Sequence, residues 1–83
     1  MKLMYFAWVR EKIGIAEETV PKPDEVTDVE SLVDWLKDRG DNYFAAFNLP
    51  GVVRVAVNHE HAHLDHPLID TDEVAIFPPI TGG

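Results

Sequence analysis

Eighty-three residues without a cysteine, fifteen of them acidic and seven basic, give a small chain of net charge −8. That length holds one domain with one modest core, and the missing cysteines exclude disulfides, thiolate zinc sites and cysteine nucleophiles. The charge argues against nucleic acid and anionic membrane, which demand a basic surface, and favours a partner with a positive cleft; with no span-length apolar run and no signal-peptide core, a cytoplasmic protein is expected.

Lys2–Arg10 (KLMYFAWVR) reads as a strand, rich in aromatic and branched residues. Leu3, Tyr5, Ala7 and Val9 would share one face, and Met4, Phe6, Trp8 and Arg10 the other. Both faces are largely apolar, too much for a strand with one solvated side. Glu11–Ile15 is a turn or short helical link broken at Gly14. Glu18–Val20 is a second strand closed off by Pro21 and Pro23, so the opening predicts an antiparallel hairpin.

A helix follows. Thr27 is a suitable N-cap, and Glu30 three residues on completes a capping box. Val29, Leu32, Val33 and Leu36 recur at helical spacing. Asp28 stands near the positive end of the dipole, Lys37 and Arg39 near the negative end, and Gly40 is the expected stop. Asn42–Phe47 adds a helical turn or two with Phe44 and Phe47 inward.

Val52–Asn58 is the next strand, with Val53, Val55 and Val57 on one face and Val52, Arg54 and Ala56 on the other. His59–Leu64 is a turn and short edge strand, and Pro67–Asp72 a loop. Glu73–Phe77 is the last strand, with Val74 and Ile76 opposed to Ala75 and Phe77. The order β-β-α-β-(β)-β predicts an α+β fold, one main helix lying across a mixed sheet. The first and last strands are expected as parallel, central neighbours.

The chain closes on FPPITGG. A frayed end would account for the two glycines but not for the two prolines before them. Pro78 and Pro79 lack N–H groups and fix φ, so strand pairing ends and a stiff, extended run follows; Pro78 also holds Phe77 extended. Gly82 and Gly83 have no side chains, so such a tip passes through a narrow channel. What it delivers there is the carboxylate of Gly83. ATP-dependent adenylation would activate that group, and a nucleophile would then replace the adenylate. With no cysteine in the chain, any sulfur must come from another protein and be held on the carboxyl carbon.

Three further features stand out. Met4, Phe6, Trp8 and Phe77 line the sheet face away from the helix, flanked by Arg10 and Arg54; either a loop or second helix covers them, or a partner does. His59, His61, His63 and His66 alternate on a surface turn, which reads as solvated polarity rather than a zinc site. Asp65, Asp70, Asp72 and Glu73 read as a solvated loop without calcium spacing.

FAWVREKIG (Phe6–Gly14) resembles the F-A-x-x-R-E-x-x-G segment of the MoaD-type sulfur carriers, the small subunits of molybdopterin synthase. AVN (Ala56–Asn58), DHPLIDTDEVAIF (Asp65–Phe77) and PPITGG match that family in order and spacing, over essentially the whole chain. The resemblance implies a ubiquitin-like β-grasp fold over residues 1–78 and a flexible C-terminal tail over 79–83. It implies that an E1-like adenylyltransferase uses ATP to adenylate Gly83 and that a sulfur donor protein converts it to a thiocarboxylate. The loaded tail, threaded by Thr81 and Gly82, then gives sulfur to cyclic pyranopterin monophosphate in the large subunit, building the molybdopterin dithiolene. Two large and two small subunits form such a synthase. No permanently bound cofactor and no metal are expected. Phe6, Trp8, Arg10, Phe77, Pro78 and Pro79 are the expected partner-binding residues, although Trp8 stands where the family commonly has a small or polar residue. The histidine-rich turn also departs from the family pattern. A carrier for another pathway and a ubiquitin-like protein modifier are the alternatives, since an activated glycine acyl group serves each.

Overall fold

The computed structural model describes residues 1–48 and 53–79. Its elements are β1 (Lys2–Tyr5), α1 (Ala7–Ile13), β2 (Glu17–Thr19), α2 (Val29–Lys37), α3 (Asp41–Phe47), β3 (Arg54–Val57), β4 (Glu60–His61) and β5 (Glu73–Phe77). The strands form one mixed sheet in the order β2-β1-β5-β3-β4. β1 and β5 are its parallel central pair, in register from Lys2 opposite Glu73 to Tyr5 opposite Ile76. The outer pairings are antiparallel.

Alternation along the strands turns Leu3, Tyr5, Val55, Val57, Val74 and Ile76 to one face. There they pack under Val9 and Ile13 of α1, Leu32 and Leu36 of α2, and Tyr43 and Phe47 of α3, in a single core cluster. Each fully buried aliphatic side chain contributes about 1.5–3 kcal/mol to that packing. Three helices thus share the face where one main helix was expected.

The strand expected over Lys2–Arg10 ends at Tyr5. Phe6 is still extended (φ −129°, ψ 154°), but Ala7 turns left-handed at φ 54° and lifts the chain off the sheet into α1. Val9 and Ile13, four apart, form the buried stripe of that helix. Strand alternation accommodated Val9 equally well, whereas Ile13 fell in the expected turn or short helical link. Arg10 and Lys12 lie in the last turn, where the dipole favours cations. Gly14 ends α1 at φ 97°, its N–H donating to the Arg10 carbonyl, as a glycine cap does.

Elsewhere tertiary contacts shift the expected boundaries by a residue or two. Leu68 N–H donates to the Thr27 carbonyl and Val29 N–H to that of His66, holding Thr27 and Asp28 against the later loop. Asp28, not Thr27, therefore caps α2: its carboxylate accepts from Ser31 N–H at 2.9 Å, and Ser31 Oγ accepts from Asp28 N–H at 3.0 Å. Ser31 takes the place expected for Glu30. Asp38 closes α2, and Gly40 precedes α3 instead of stopping its predecessor. In α3 the inward stripe is Tyr43, Ala46 and Phe47, while Phe44, expected inside, is 50% exposed. β2 is Glu17–Thr19 rather than Glu18–Val20, and β3 is Arg54–Val57; Val52 of the expected strand lies outside the described residues.

A half-buried polar knot ties this packing together. Glu18 Oε2 accepts from Tyr5 Oη at 2.7 Å, Tyr43 Oη at 2.8 Å and an Arg39 guanidinium nitrogen at 2.7 Å. The guanidinium also lies over the rings of Trp35 and Tyr43. One carboxylate thereby joins β1, β2, α3 and the turn after α2. Burial pushes the Glu18 pKa up, but the donors from Arg39, Tyr5 and Tyr43 together outweigh it and hold the group below its ordinary value. A depressed folded-state pKa gives stability that is complete above the ordinary value of 4.5 and is lost as pH falls through the folded one. Glu18→Gln is expected to cost about 2 kcal/mol at pH 7 and to flatten the loss of stability on acidification; urea unfolding at pH 7 and about pH 3.5 tests both.

β3 and β4 are joined by Asn58 and His59, at φ 51° and 72°, the two left-handed residues of a tight hairpin. Asparagine and histidine enter this region more readily than most residues, but glycine does so without steric strain. His59→Gly is expected to raise stability by about 0.5–1 kcal/mol, read as a higher urea midpoint with an unchanged slope.

Candidate partner-docking face

The second face of the sheet carries the other half of each strand. Met4, Ala75, Ala56 and His61 lie in one row across β1, β5, β3 and β4, and Arg54 pairs with Phe77. Phe6 N–H donates to the Ile76 carbonyl at 3.1 Å, extending the parallel ladder by one rung. Because its backbone is still extended, Phe6 follows Met4 on this face and stands beside Phe77. The buried stripes of all three helices belong to the opposite face. Phe6 is 47% exposed, and Met4, Ala56, Ala75 and Phe77 are half-buried.

Polar groups frame this apolar strip unevenly. At the far end, Lys2 Nζ lies between Glu17 at 3.5 Å and Glu73 at 3.9 Å. At the other end, Arg54 is exposed and His61 meets the Phe77 ring edge-on, centroids 5.8 Å apart. Pro78 and Pro79 continue from Phe77 and are half-buried. The arm therefore leaves the sheet beside the strip, at the end of a central strand. Thr81, Gly82 and Gly83, the expected tail and its reactive terminus, lie outside the described residues.

Two expected members are not on this face. The left-handed turn at Ala7 carries Trp8 and Arg10 away on α1. Trp8 is packed against the core, and Arg10 is exposed beside Gly14, Ile15 and Ala16. Of the expected partner-binding residues, Phe6, Phe77, Pro78 and Pro79 come together and Trp8 and Arg10 do not.

Asn58 and Asp72 were not singled out from the sequence as a working pair. Asn58 Nδ2 donates to Asp72 Oδ1 at 2.9 Å, and Asn58 Oδ1 accepts from Glu73 N–H at 3.0 Å. The other Asp72 oxygen accepts from Ile69 N–H at 2.9 Å. Asp72 is 8% exposed, so this acid belongs to the structure and not to a solvated loop. The clamp fixes where β5 begins, and hence where Pro78 emerges. Its signal was local: an asparagine at a tight turn and an aspartate before a strand, both prone to bond nearby backbone.

Among the described residues, no three histidine, aspartate or glutamate side chains converge to hold a metal ion. His59 lies 3.6 Å from Glu73, and His61 faces Phe77. A cavity of ≈ 590 Å³ opens between α2 and the β3–β4 edge, lined by Val33, Phe47, Val55, Leu64 and others. It contains neither Phe6 nor Phe77, but Arg54 and His61 belong both to its lining and to the strip beside the arm. No helix among the described residues is long and apolar enough to cross a membrane.

A mixed sheet with parallel central strands, helices packed on one side and an apolar strip on the other beside a proline-stiffened arm defines a ubiquitin-like β-grasp protein. The chain belongs to the ThiS family, whose model matches residues 3–83. It is 41% identical over 83 residues to the molybdopterin synthase sulfur carrier subunit of Escherichia coli K12, covering 100% of this chain and 99% of that one. A Pyrococcus furiosus structure provisionally named molybdopterin converting factor, subunit 1, superposes with a TM-score of 0.75 at 29% identity, covering 95% of each chain. Small archaeal modifier protein 1 of Haloferax volcanii gives 0.69 at 29% identity, over 100% of this chain and 98% of that one. A chain in the complex of subunits 1 and 2 of the Helicobacter pylori molybdopterin-converting factor shares the fold, with a TM-score of 0.64 at 22% identity over 99% and 96%.

The two faces respond differently to substitution. Asn58→Ala leaves Asp72 Oδ1 without its Asn58 donor and Glu73 N–H without its acceptor, and is expected to destabilise by about 1–3 kcal/mol. Phe6→Ser, on the exposed strip, is expected to stay within about 1 kcal/mol of the parent. Thermal unfolding of the two variants side by side measures the contrast.

Proposed function

We propose that this protein is a sulfur carrier of molybdenum cofactor biosynthesis, with its cargo held on the Gly83 carboxyl carbon. The observation that carries this reading is the apolar strip of Phe6, Ala75 and Phe77 at the foot of the Pro78–Pro79 arm. It provides a place to dock directly beside a rigid lead to the terminus. Identity of 41% along the full length to a sulfur carrier subunit supports it.

In this reading the Gly83 carboxylate attacks the α-phosphorus of ATP on an E1-like adenylyltransferase, releasing pyrophosphate and leaving an acyl adenylate. Sulfide-level sulfur released by a donor protein attacks as hydrosulfide, the carboxyl–AMP bond breaks as the carbon–sulfur bond forms, and a thiocarboxylate and AMP result. The strip then docks on the large synthase subunit. The prolines hold the arm extended, and Thr81, Gly82 and Gly83 enter the pocket where the pterin is bound. The thiocarboxylate sulfur displaces an oxygen leaving group from the pterin side chain, and water then cleaves the acyl–sulfur bond, leaving the sulfur on the pterin and Gly83 as carboxylate. Each dithiolene contains two sulfurs, so the carrier is reloaded between transfers. The chemistry belongs to the large subunit; this chain contributes reach, aim and cargo. The complex of the two Helicobacter pylori subunits supports a large-subunit partner by analogy of fold.

Intact-mass analysis of the protein, isolated from sulfur-replete cells containing the activating enzyme, is expected to show a fraction with one carboxylate oxygen replaced by sulfur at Gly83. Deletion of Gly83 is expected to leave the fold and partner binding nearly intact and to abolish that fraction. A mass that never changes would overturn the carrier reading. Isopeptide adducts on other proteins, with no thiocarboxylate form, would put a protein modifier in its place.

A further inference from the structure

The basic residues of this acidic chain are mostly engaged. Lys2 faces Glu17 and Glu73, Lys37 faces Asp34 and Arg39 faces Glu18. Lys22 donates to the carbonyls of Pro23 and Val26. Arg10 and Lys12 sit on α1, off the docking strip. Arg54 is different: it is exposed, lies on the strip, and forms no ion pair among the described residues.

Its position is specific. Arg54 is directly opposite Phe77 across the β3–β5 ladder, and His61 meets the same ring from the β4 side. Pairing of Ala56 with His61 makes Arg54 and His61 diagonal neighbours on one face, a spacing within reach of long side chains. Two hydrogen-bond donors thus flank the half-buried aromatic nearest the arm, in a chain of net charge −8. A partner that matched only the overall charge would place cations opposite them.

We propose that Arg54 and His61 form a donor pair beside Phe77 that reads a carboxylate on the docked large subunit. Guanidinium presents a planar fork that matches a carboxylate through two parallel bonds, and imidazole adds a further N–H. Docking of the apolar strip excludes water around Phe77, which strengthens the ionic contact and penalises a partner lacking the acid. The strip supplies contact area; the donor pair fixes which surface is accepted and in what register, and so where the arm points. This inference rests on the docking reading above and is separable from it.

The test is calorimetric titration of the full chain with the purified large subunit, at low and high salt. Arg54→Glu is expected to weaken binding about 30-fold or more and to remove most of its salt sensitivity. Arg54→Lys, a point charge without the fork, recovers part of the affinity. His61→Phe keeps an aromatic edge against Phe77 but loses the N–H, and is expected to weaken binding about 3- to 10-fold. Lysine replacement of one acidic residue on the large subunit's docking surface is expected to restore binding to Arg54→Glu. Phe77→Asp serves as the control for the face. If Phe77→Asp abolishes binding while Arg54→Glu and His61→Phe bind as the parent does, the donor pair is wrong and the docking face stands. If no acidic residue of the large subunit gives rescue, the opposing group is not a carboxylate and the proposal fails. If Phe77→Asp itself binds normally, the docking face is wrong and the donor pair falls with it. Amide spectra of each variant confirm an intact fold.

Discussion

Parallel pairing of β1 with β5 is the contact on which the rest of the structure depends. It joins the two ends of the chain through four residue pairs, with Phe6 adding one more rung. Parallel neighbours need a long crossover, and closing so large a loop carries an entropic cost that local contacts cannot offset. The offset comes from the inner faces of the two strands, where Leu3, Tyr5, Val74 and Ile76 are buried almost completely. Once that pair is formed, β2 and β3 have edges to join, the helices have a floor, and the arm has a direction.

The same pairing separates two tasks onto two faces. Inside, apolar packing is reinforced by the Glu18 knot, whose donors come from three other parts of the chain. Removing one partner from such a knot leaves the others partly desolvated and unmatched. Outside, the small side chains of Ala56 and Ala75 share one row with Met4, and Phe77 follows Ala75 along β5. A face that holds little of the core can change to suit a partner without loss of the fold. This division lets a small domain carry an exposed apolar surface, ordinarily a liability, beside its terminus.

Much of this was legible in the chain. The bounds of β5 followed from clean alternation in EVAIF between a loop and two prolines, and its pairing with the first strand from the apolar content of both. Helix α2 was readable from Val29, Leu32 and Leu36. The face that receives the arm was legible through Phe6 and Phe77, because alternation survives as far as Phe6. It failed at Ala7, where one left-handed residue replaces a strand by a helix. Period-two spacing places Val9 inward on a strand as readily as a helix does, and the helical link expected over Glu11–Ile15 starts four residues earlier, at Ala7. The cap at Asp28 escaped for a related reason. Thr27 and Asp28 are both good caps, and only the loop carrying His66 to Leu68 selects between them.

Composition, alternation and turn chemistry act through neighbours in the chain, and these were sufficient to determine the class of fold, the central strands, the main helix and the stiff arm. Residues brought together from distant segments were decided by the tertiary structure alone. Asp72 looked solvated until Asn58 arrived to bond it, Glu18 was only the first residue of an expected second strand until three donors converged on it, and Trp8 left the strip when the chain turned at Ala7. A side chain's chemistry is written in the sequence, but its environment is supplied by segments that approach only on folding, and the environment determines whether a charge is a core tie, a solvated rim or a contact for another protein.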